Sequence, residues 1–207
     1  GGESTRPGAE RVSEAEEIER TIPVIIELAQ HGARISIDTM RSSTAEAAIN
    51  AGASIITDVS GGLADPQMLQ TAARLQVPYI AMHWRGHSKD MNSKAVYGDV
   101  VSEVISELNE RIEAALDAGI QKDKLIIDPG IGFAKDAEHN WAIIDSIDRF
   151  VSMGYPVLVG ASRKRFLGGE SPDEREQATI ELTKRLGATG IWAVRVHSVK
   201  PHKEVLS

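Results

Sequence analysis

The chain contains no cysteine, which excludes disulfides, thiolate nucleophiles and cysteine-based metal sites and fits a reducing cytosol. No apolar run approaches the ~18 residues a membrane-spanning helix needs. Positive charge is scarce as well: 23 Lys and Arg against 30 Asp and Glu leave a formal net charge of −7. General nucleic-acid binding is thereby excluded for want of a basic surface, whereas a few local cations can still hold an anionic small molecule. There is no Walker loop, HExxH or nucleophile elbow, and no GxGxxG turn follows the first strand-like run. Linkers and low-complexity stretches are also missing, so residues 1–207 read as one domain or part of a larger one. The chain opens on Gly-Gly-Glu and not Met, and a preceding native segment is expected.

What is present is a repetition. Six apolar runs, Arg34–Thr39, Ser54–Val59, Val77–Trp84, Lys124–Phe133, Pro156–Lys164 and Ile191–Ser198, each end in a polar tip. Helical patterns separate them. Ser13 with Glu16 forms a capping box before a helix over Ile18, Ile22, Ile25, Ile26 and Ala29 that stops at Gly32. Further helices are expected at Ser43–Ala51, from Asp65-Pro66 to Leu75, from Asp99 to Gly119, at 136–153, and from Ser171 to Arg185. Strict alternation of strand and helix predicts a parallel α/β sheet with right-handed crossovers. Within the strands Ser36/Asp38, Ile126/Asp128 and Arg195/His197 share one face, with Ile37, Ile127, Trp192 and Val194 on the other. A (β/α)₈ TIM barrel needs that arrangement, and the fold expected is such a barrel, with roughly its first two strands and part of its last helix outside the chain. In a barrel the strand C-termini converge on one face.

Asp38 and Asp128 would then be inward carboxylates, costly unless paired. They suit either general acid–base work or acceptance of N–H bonds from an amino-heterocycle, and for Asp38 the plain alternative is a cap for the next turn. Ser162, Arg163, Lys164, Arg195, Val196 and His197 end the last two strands, where barrels commonly bind phosphate. Arg offers a fork, Lys and His point charge. The loop Gly2–Gly8 adds Thr5, Arg6 and Pro7. Lys164 has the chemistry for a Schiff base, but its Arg neighbours favour anion binding. His83 is a candidate pocket residue; His83 and His87 lack the partners of a metal site. His31, His139 and His202 read as helix-end or surface residues.

The segments GGESTRPGA, SIDTMR, DVSGG, MHW, DPGIGFAK, GASRKRFLG and RVH, in this order, resemble the pterin-binding (β/α)₈ family of the dihydropteroate synthases. That family joins 6-hydroxymethyl-7,8-dihydropterin diphosphate to p-aminobenzoate. The resemblance implies that Asp38 and Asp128 hold the pterin N–H groups and that Lys164 lies between pterin and p-aminobenzoate. It implies that Arg6, Arg195 and His197 hold the diphosphate, and that Thr5, Pro7, Phe133 and Ser162 border the p-aminobenzoate pocket. Asp38, Lys164, Arg195 and His197 would be the catalytic set. Mg²⁺ is the implied cofactor, linked to an Asn in an N-terminal loop outside this chain, without which the chain alone is expected to be inactive. A cytoplasmic homodimer joined through the last helices is likewise implied. Thr57 stands where the family usually has Asn, and Ser198 where Asp is common. A non-catalytic pterin-binding paralogue and a methyltetrahydrofolate-binding methyltransferase domain are the nearest rivals, with a generic barrel aldolase behind them.

Overall fold

A computed structural model describes residues 2–6 and 8–207; the expectation for Pro7 lies outside the described residues. The elements in chain order are α1 (Glu14–Gln30), β1 (Ser36–Asp38), α2 (Ser42–Asn50), β2 (Ile55–Asp58), α3 (Met68–Leu75) and β3 (Tyr79–Met82). They continue with α4 (Val100–Asp117), β4 (Leu125–Asp128), α5 (Ala137–Asp145), α6 (Ile147–Val151), β5 (Leu158–Val159), α7 (Glu176–Gly187), β6 (Ala193–Val194) and α8 (Val199–Leu206). All pairings are parallel. β1 to β4 lie in sequence order, a bridge from Ile127 to Val157 joins β4 to β5, and β5 pairs β6.

The curl of this sheet follows from one distance. Laid flat, six strands at ~4.8 Å spacing would separate the outer two by about 24 Å. Yet Arg195, directly after β6, reaches Asp38 at the end of β1 at 2.6 Å. The strands therefore run round a cylinder, as in a (β/α)₈ barrel. Its inner face is filled by Ile55, Ile80, Ile126 and Leu158, with Ala193 against them. The outer face carries Ile37, Ile56, Tyr79, Ile127, Val157 and Val159, which pack into the large core beneath the helices. Alternation thus sends the tip residues inward.

Helix α4 shows how the shell is made. Asp99 caps it by accepting from the Val101 and Ser102 amides, and Val100, Val101, Val104, Leu108 and Ile112 are buried on one face.

Several expectations need correction. The strands are shorter than the apolar runs, because the polar ends of those runs turn out of the sheet to form the rim. At Ser13 only half a capping box forms: Ser13 Oγ accepts from the Glu16 amide, while the Glu16 carboxylate pairs with Arg20 instead. The buried face of α1 runs through Glu17, Thr21 and Ile25, and Ile26 is exposed, because Glu17 is drawn in by Arg41, Thr39 and Thr44. The α3 region starts at Met68, and Asp65 accepts from both the Gln67 amide and the first-turn Ser42 amide of α2. The single helix expected over 136–153 breaks at Ser146, whose φ of −111° and ψ of 24° are not helical. Ser171 and Glu174 cap one another in a turn before α7, which begins at Glu176 once the Arg175 side chain has turned in to the carbonyls of Gly168, Gly169 and Glu170. His202 is no surface residue: it is buried on α8, with Nδ1 2.8 Å from Thr183 Oγ1 of α7.

Leu108 is wholly buried in this core. Leu108→Ala is expected to lower unfolding free energy by about 3 kcal/mol through lost transfer energy and a residual cavity. Chemical denaturation checks this, and a loss below about 1 kcal/mol would mean that α4 is not closely packed on the sheet.

Candidate active site

The barrel rim gathers charge of both signs. Asp38 is the last residue of β1 and accepts from Arg195 Nη1 at 2.6 Å. Both side chains keep solvent contact, 31% for Asp38 and 41% for Arg195. An ion pair that exposed is worth on the order of 0–1 kcal/mol, so an arriving ligand can displace it. Gly160, directly after β5, makes room for the guanidinium: a Cβ there would lie 3.3 Å from Arg195 Nε and Nη2.

Asp128, ending β4, is the buried counterpart at 2% exposure. Its Oδ1 accepts from the Gly130 amide at 2.8 Å, and among the described residues Oδ2 has no hydrogen-bond partner. Burial raises its pKa; Arg195, the Gly130 amide, Lys164 and Lys135 pull it back. A carboxyl so placed has an oxygen to offer an N–H donor entering the barrel mouth.

Lys164 lies across from it. The ammonium donates to the Ile131 carbonyl and sits 4.4 Å from the centre of the Phe133 ring. Burial brings its pKa down to about 8, with Arg195 acting the same way and Asp128 and Asp38 opposing. The stem runs so close to Gly132 that a Cβ there would stand 2.6 Å from Lys164 Cδ. Gly132 also has a φ of +77°, a conformation that suits glycine. Neighbouring Arg163 faces the other way, to Glu176 and Ser198.

Ser162 is buried, and its hydroxyl lies 2.8 Å from His197 Nδ1 and accepts from the His197 amide. Burial lowers the His197 pKa, helped by Arg163, Arg195 and Arg6 and opposed by Glu176. Arg6 thus reaches the same rim, and among the described residues its guanidinium has no partner. Its loop is fastened by Glu3, which accepts from Arg41 at 2.8 Å, and Arg41 in turn binds the buried Glu17. Thr5 and Phe133 line one small cavity with Met40, Trp84 and Met91.

Of the expected residues, Thr5, Arg6, Asp38, Asp128, Phe133, Ser162, Lys164, Arg195 and His197 therefore surround one opening. Thr57 faces the barrel interior, its hydroxyl engaged with Ser36 Oγ at 2.7 Å. Val196 stands apart, lining the gap between the last strands and α7. His83 does not line the opening as a free ring: it is 1% exposed and bonded to Glu107 and Lys135. Lys135 went unremarked in the sequence, although it follows the glycine-rich turn of DPGIGFAK directly. Among the described residues no group of three or more His, Cys, Asp or Glu side chains is placed to hold a metal ion.

A parallel barrel that sets carboxylates against cations at its strand tips is built to bind a small polar molecule bearing both N–H donors and an anionic group. Residues 1–197 match the family described as pterin binding enzyme, and the chain belongs to that family, that of the dihydropteroate synthases. It is 44% identical to the dihydropteroate synthase of Mycobacterium leprae over 216 residues, covering 100% of this chain and 76% of that one. The Xanthomonas albilineans dihydropteroate synthase with 4-aminobenzoic acid superposes with a TM-score of 0.94 at 40% identity, over 100% of this chain and 75% of that one. The same enzyme in complex with 7,8-dihydropteroate gives a TM-score of 0.88 at 38% identity, over 96% and 74% of the two chains.

Lys164 is expected to be an ammonium below about pH 8 and neutral above it, and a bound anion is expected to raise that midpoint. Isotope-edited NMR of the lysine side chains, assigned with Lys164→Arg, reads it directly. Titration at the ordinary lysine value would contradict the burial described.

Proposed function

We infer that this cleft condenses 6-hydroxymethyl-7,8-dihydropterin diphosphate with p-aminobenzoate, giving 7,8-dihydropteroate and pyrophosphate in folate biosynthesis. The observation that carries the reading is the shared rim: Asp38 in contact with Arg195, and Asp128 within the field of both Arg195 and Lys164. A pterin presents N–H groups to the carboxylates while its diphosphate meets Arg195, His197 and Arg6. Arg195 must then exchange Asp38 for phosphate oxygens, which frees Asp38 for the ring.

In the reaction the bond from the pterin methylene carbon to the diphosphate oxygen breaks, and its electron pair leaves on that oxygen. Fixed cations aimed at the departing charge lower the barrier. Asp38 and Asp128 offset positive charge spreading into the ring. The arylamine nitrogen attacks the methylene carbon and passes one N–H proton to the departing pyrophosphate or to water. A neutral nucleophile and a good leaving group need little further acid–base help. In this reading Phe133 and Thr5 border the arylamine, and the Lys164 ammonium, which lies over the Phe133 ring, stands between the two substrates.

Mg²⁺ enters this reading as an ion carried by the diphosphate. The described residues hold no carboxylate or imidazole cluster for a protein-made cage, so no step above passes through it. A homodimer through the last helices and a cytoplasmic location belong to the same reading; among the described residues no helix is long and apolar enough to cross a membrane.

Thr57 favours a second reading, a binder of pterin diphosphate without turnover, because a hydroxyl cannot supply the paired donor and acceptor of an amide. Pyrophosphate release from the full-length protein, dependent on p-aminobenzoate, separates the two: release supports the synthase, and binding without release selects the second. Arg195→Ala is expected to weaken pterin diphosphate binding far more than binding of the bare pterin, and to lower kcat by about 10²–10³. Equal losses for both ligands would remove its assigned role. Asp38→Asn is expected to weaken the bare pterin by about tenfold; an unchanged dissociation constant would dismiss that contact.

A further inference from the structure

Behind the cleft lies a half-buried cation that the chemistry above does not use. Lys135 ends the loop that follows β4, and its ammonium lies 2.8 Å from His83 Nδ1, 3.2 Å from the Gly130 carbonyl and 3.1 Å from the Phe133 carbonyl. Glu107 on α4 is a carboxylate whose pKa falls to about 2 through the hydrogen bonds of His83 and Arg85, against the cost of burial. As an acceptor only, it requires His83 to carry its proton on Nε2, 2.8 Å away. His83 stays neutral, since burial, with Lys135 adding to it, brings its pKa down to about 4. Its Nδ1 is therefore an acceptor, and so are both carbonyls. Three acceptors call for three protons, which is what an ammonium supplies. Burial and the nearby Lys164 and Arg85 oppose that charge and bring the Lys135 pKa to about 7, while Asp128 and Glu107 support it.

The two carbonyls belong to residues that shape the cleft. Gly130 donates its amide to Asp128, and Phe133 stands under Lys164 and lines the cavity shared with Thr5. The same loop is held at Ala134 by the Tyr97 hydroxyl and at Gly132 by Asn140 Oδ1. Those bonds fix its outer edge. Only Lys135, among these holders, grips both ends of the turn and ties them to the tip of β3.

We propose that Lys135 is a positioning residue for the arylamine: its ammonium, oriented by the His83–Glu107 pair, sets the Gly130–Phe133 turn and with it the Phe133 wall of the p-aminobenzoate pocket. This rests on the functional reading given above. Lys135→Met keeps the length of the stem and removes the donors. It is expected to raise KM for p-aminobenzoate about tenfold, with kcat changed by less than about threefold. It is also expected to speed amide exchange about tenfold across residues 130–134 and to leave α1 unchanged. A KM within about twofold of the unsubstituted protein, or exchange that rises equally in α1, overturns the proposal. Should the Met variant fail to fold, Lys135→Gln, which retains a donor, is measured in the same way. All of these measurements use the full-length protein; if its unsubstituted form releases no pyrophosphate, the synthase reading falls, and the exchange pattern alone decides whether Lys135 holds the turn.

Discussion

A carboxylate facing the inside of a barrel must find positive charge or protons, and that constraint organises the rim. Asp38 meets it by pairing with Arg195, half in water, at little net energy. Asp128 meets it from within, by one backbone amide and by the fields of Arg195, Lys164 and Lys135. The two solutions differ in strength because the two sites differ in solvent. The exposed pair is exchangeable, whereas the buried carboxyl is fixed and keeps one oxygen for a ligand. The free cleft therefore carries compensated charge, and a substrate with both N–H groups and phosphates replaces each internal contact by one of its own.

The scaffold uses the same currency more rigidly. Glu17 is 1% exposed and binds Arg41, Thr39 and Thr44, while Arg41 also holds Glu3 and the Val12 carbonyl. Breaking a buried pair of this kind costs about 3–5 kcal/mol, far more than the rim pair. Asp58 is likewise buried and accepts from Ser60, Gly62 and Tyr79 on the helix side of the sheet. Acidic residues adjoining the strand tips thus divide into two kinds. Those turned outward fasten loops and helices, and those turned inward remain available for chemistry.

The strand periodicity was legible because alternation has a fixed period: Asp38, Asp128 and Arg195 lie on the inner face as their spacing requires. Helix ends marked by Asp99 and Gly52 were legible for a similar local reason. What escaped is non-local. Nothing near Asp65 in sequence says that it also accepts from the first turn of α2, and nothing near Glu17 says that a helix will bury a carboxylate on its core face. His202 looks like a terminal surface residue until α7 is laid beside it. Lys135 resembles any lysine at a loop end; its three acceptors come from two different loops. Thr57 faces inward as strand alternation requires, but its bond to Ser36 depends on the register of β1 against β2.

Arg163 and Lys164 are adjacent in the chain and opposed in space. The reversal lies in Arg163 itself, whose φ of +58° is uncommon for a residue with a side chain. Its guanidinium is held by Glu176 and Ser198, and its amide donates to Thr179 Oγ1. One bent residue thereby sorts two like charges, anchoring the first in the outer shell and delivering the second to the mouth. Inserting or deleting a single amino acid just before Arg163 would shift both side chains out of the places the bend assigns them, so the length of this corner is under tight constraint.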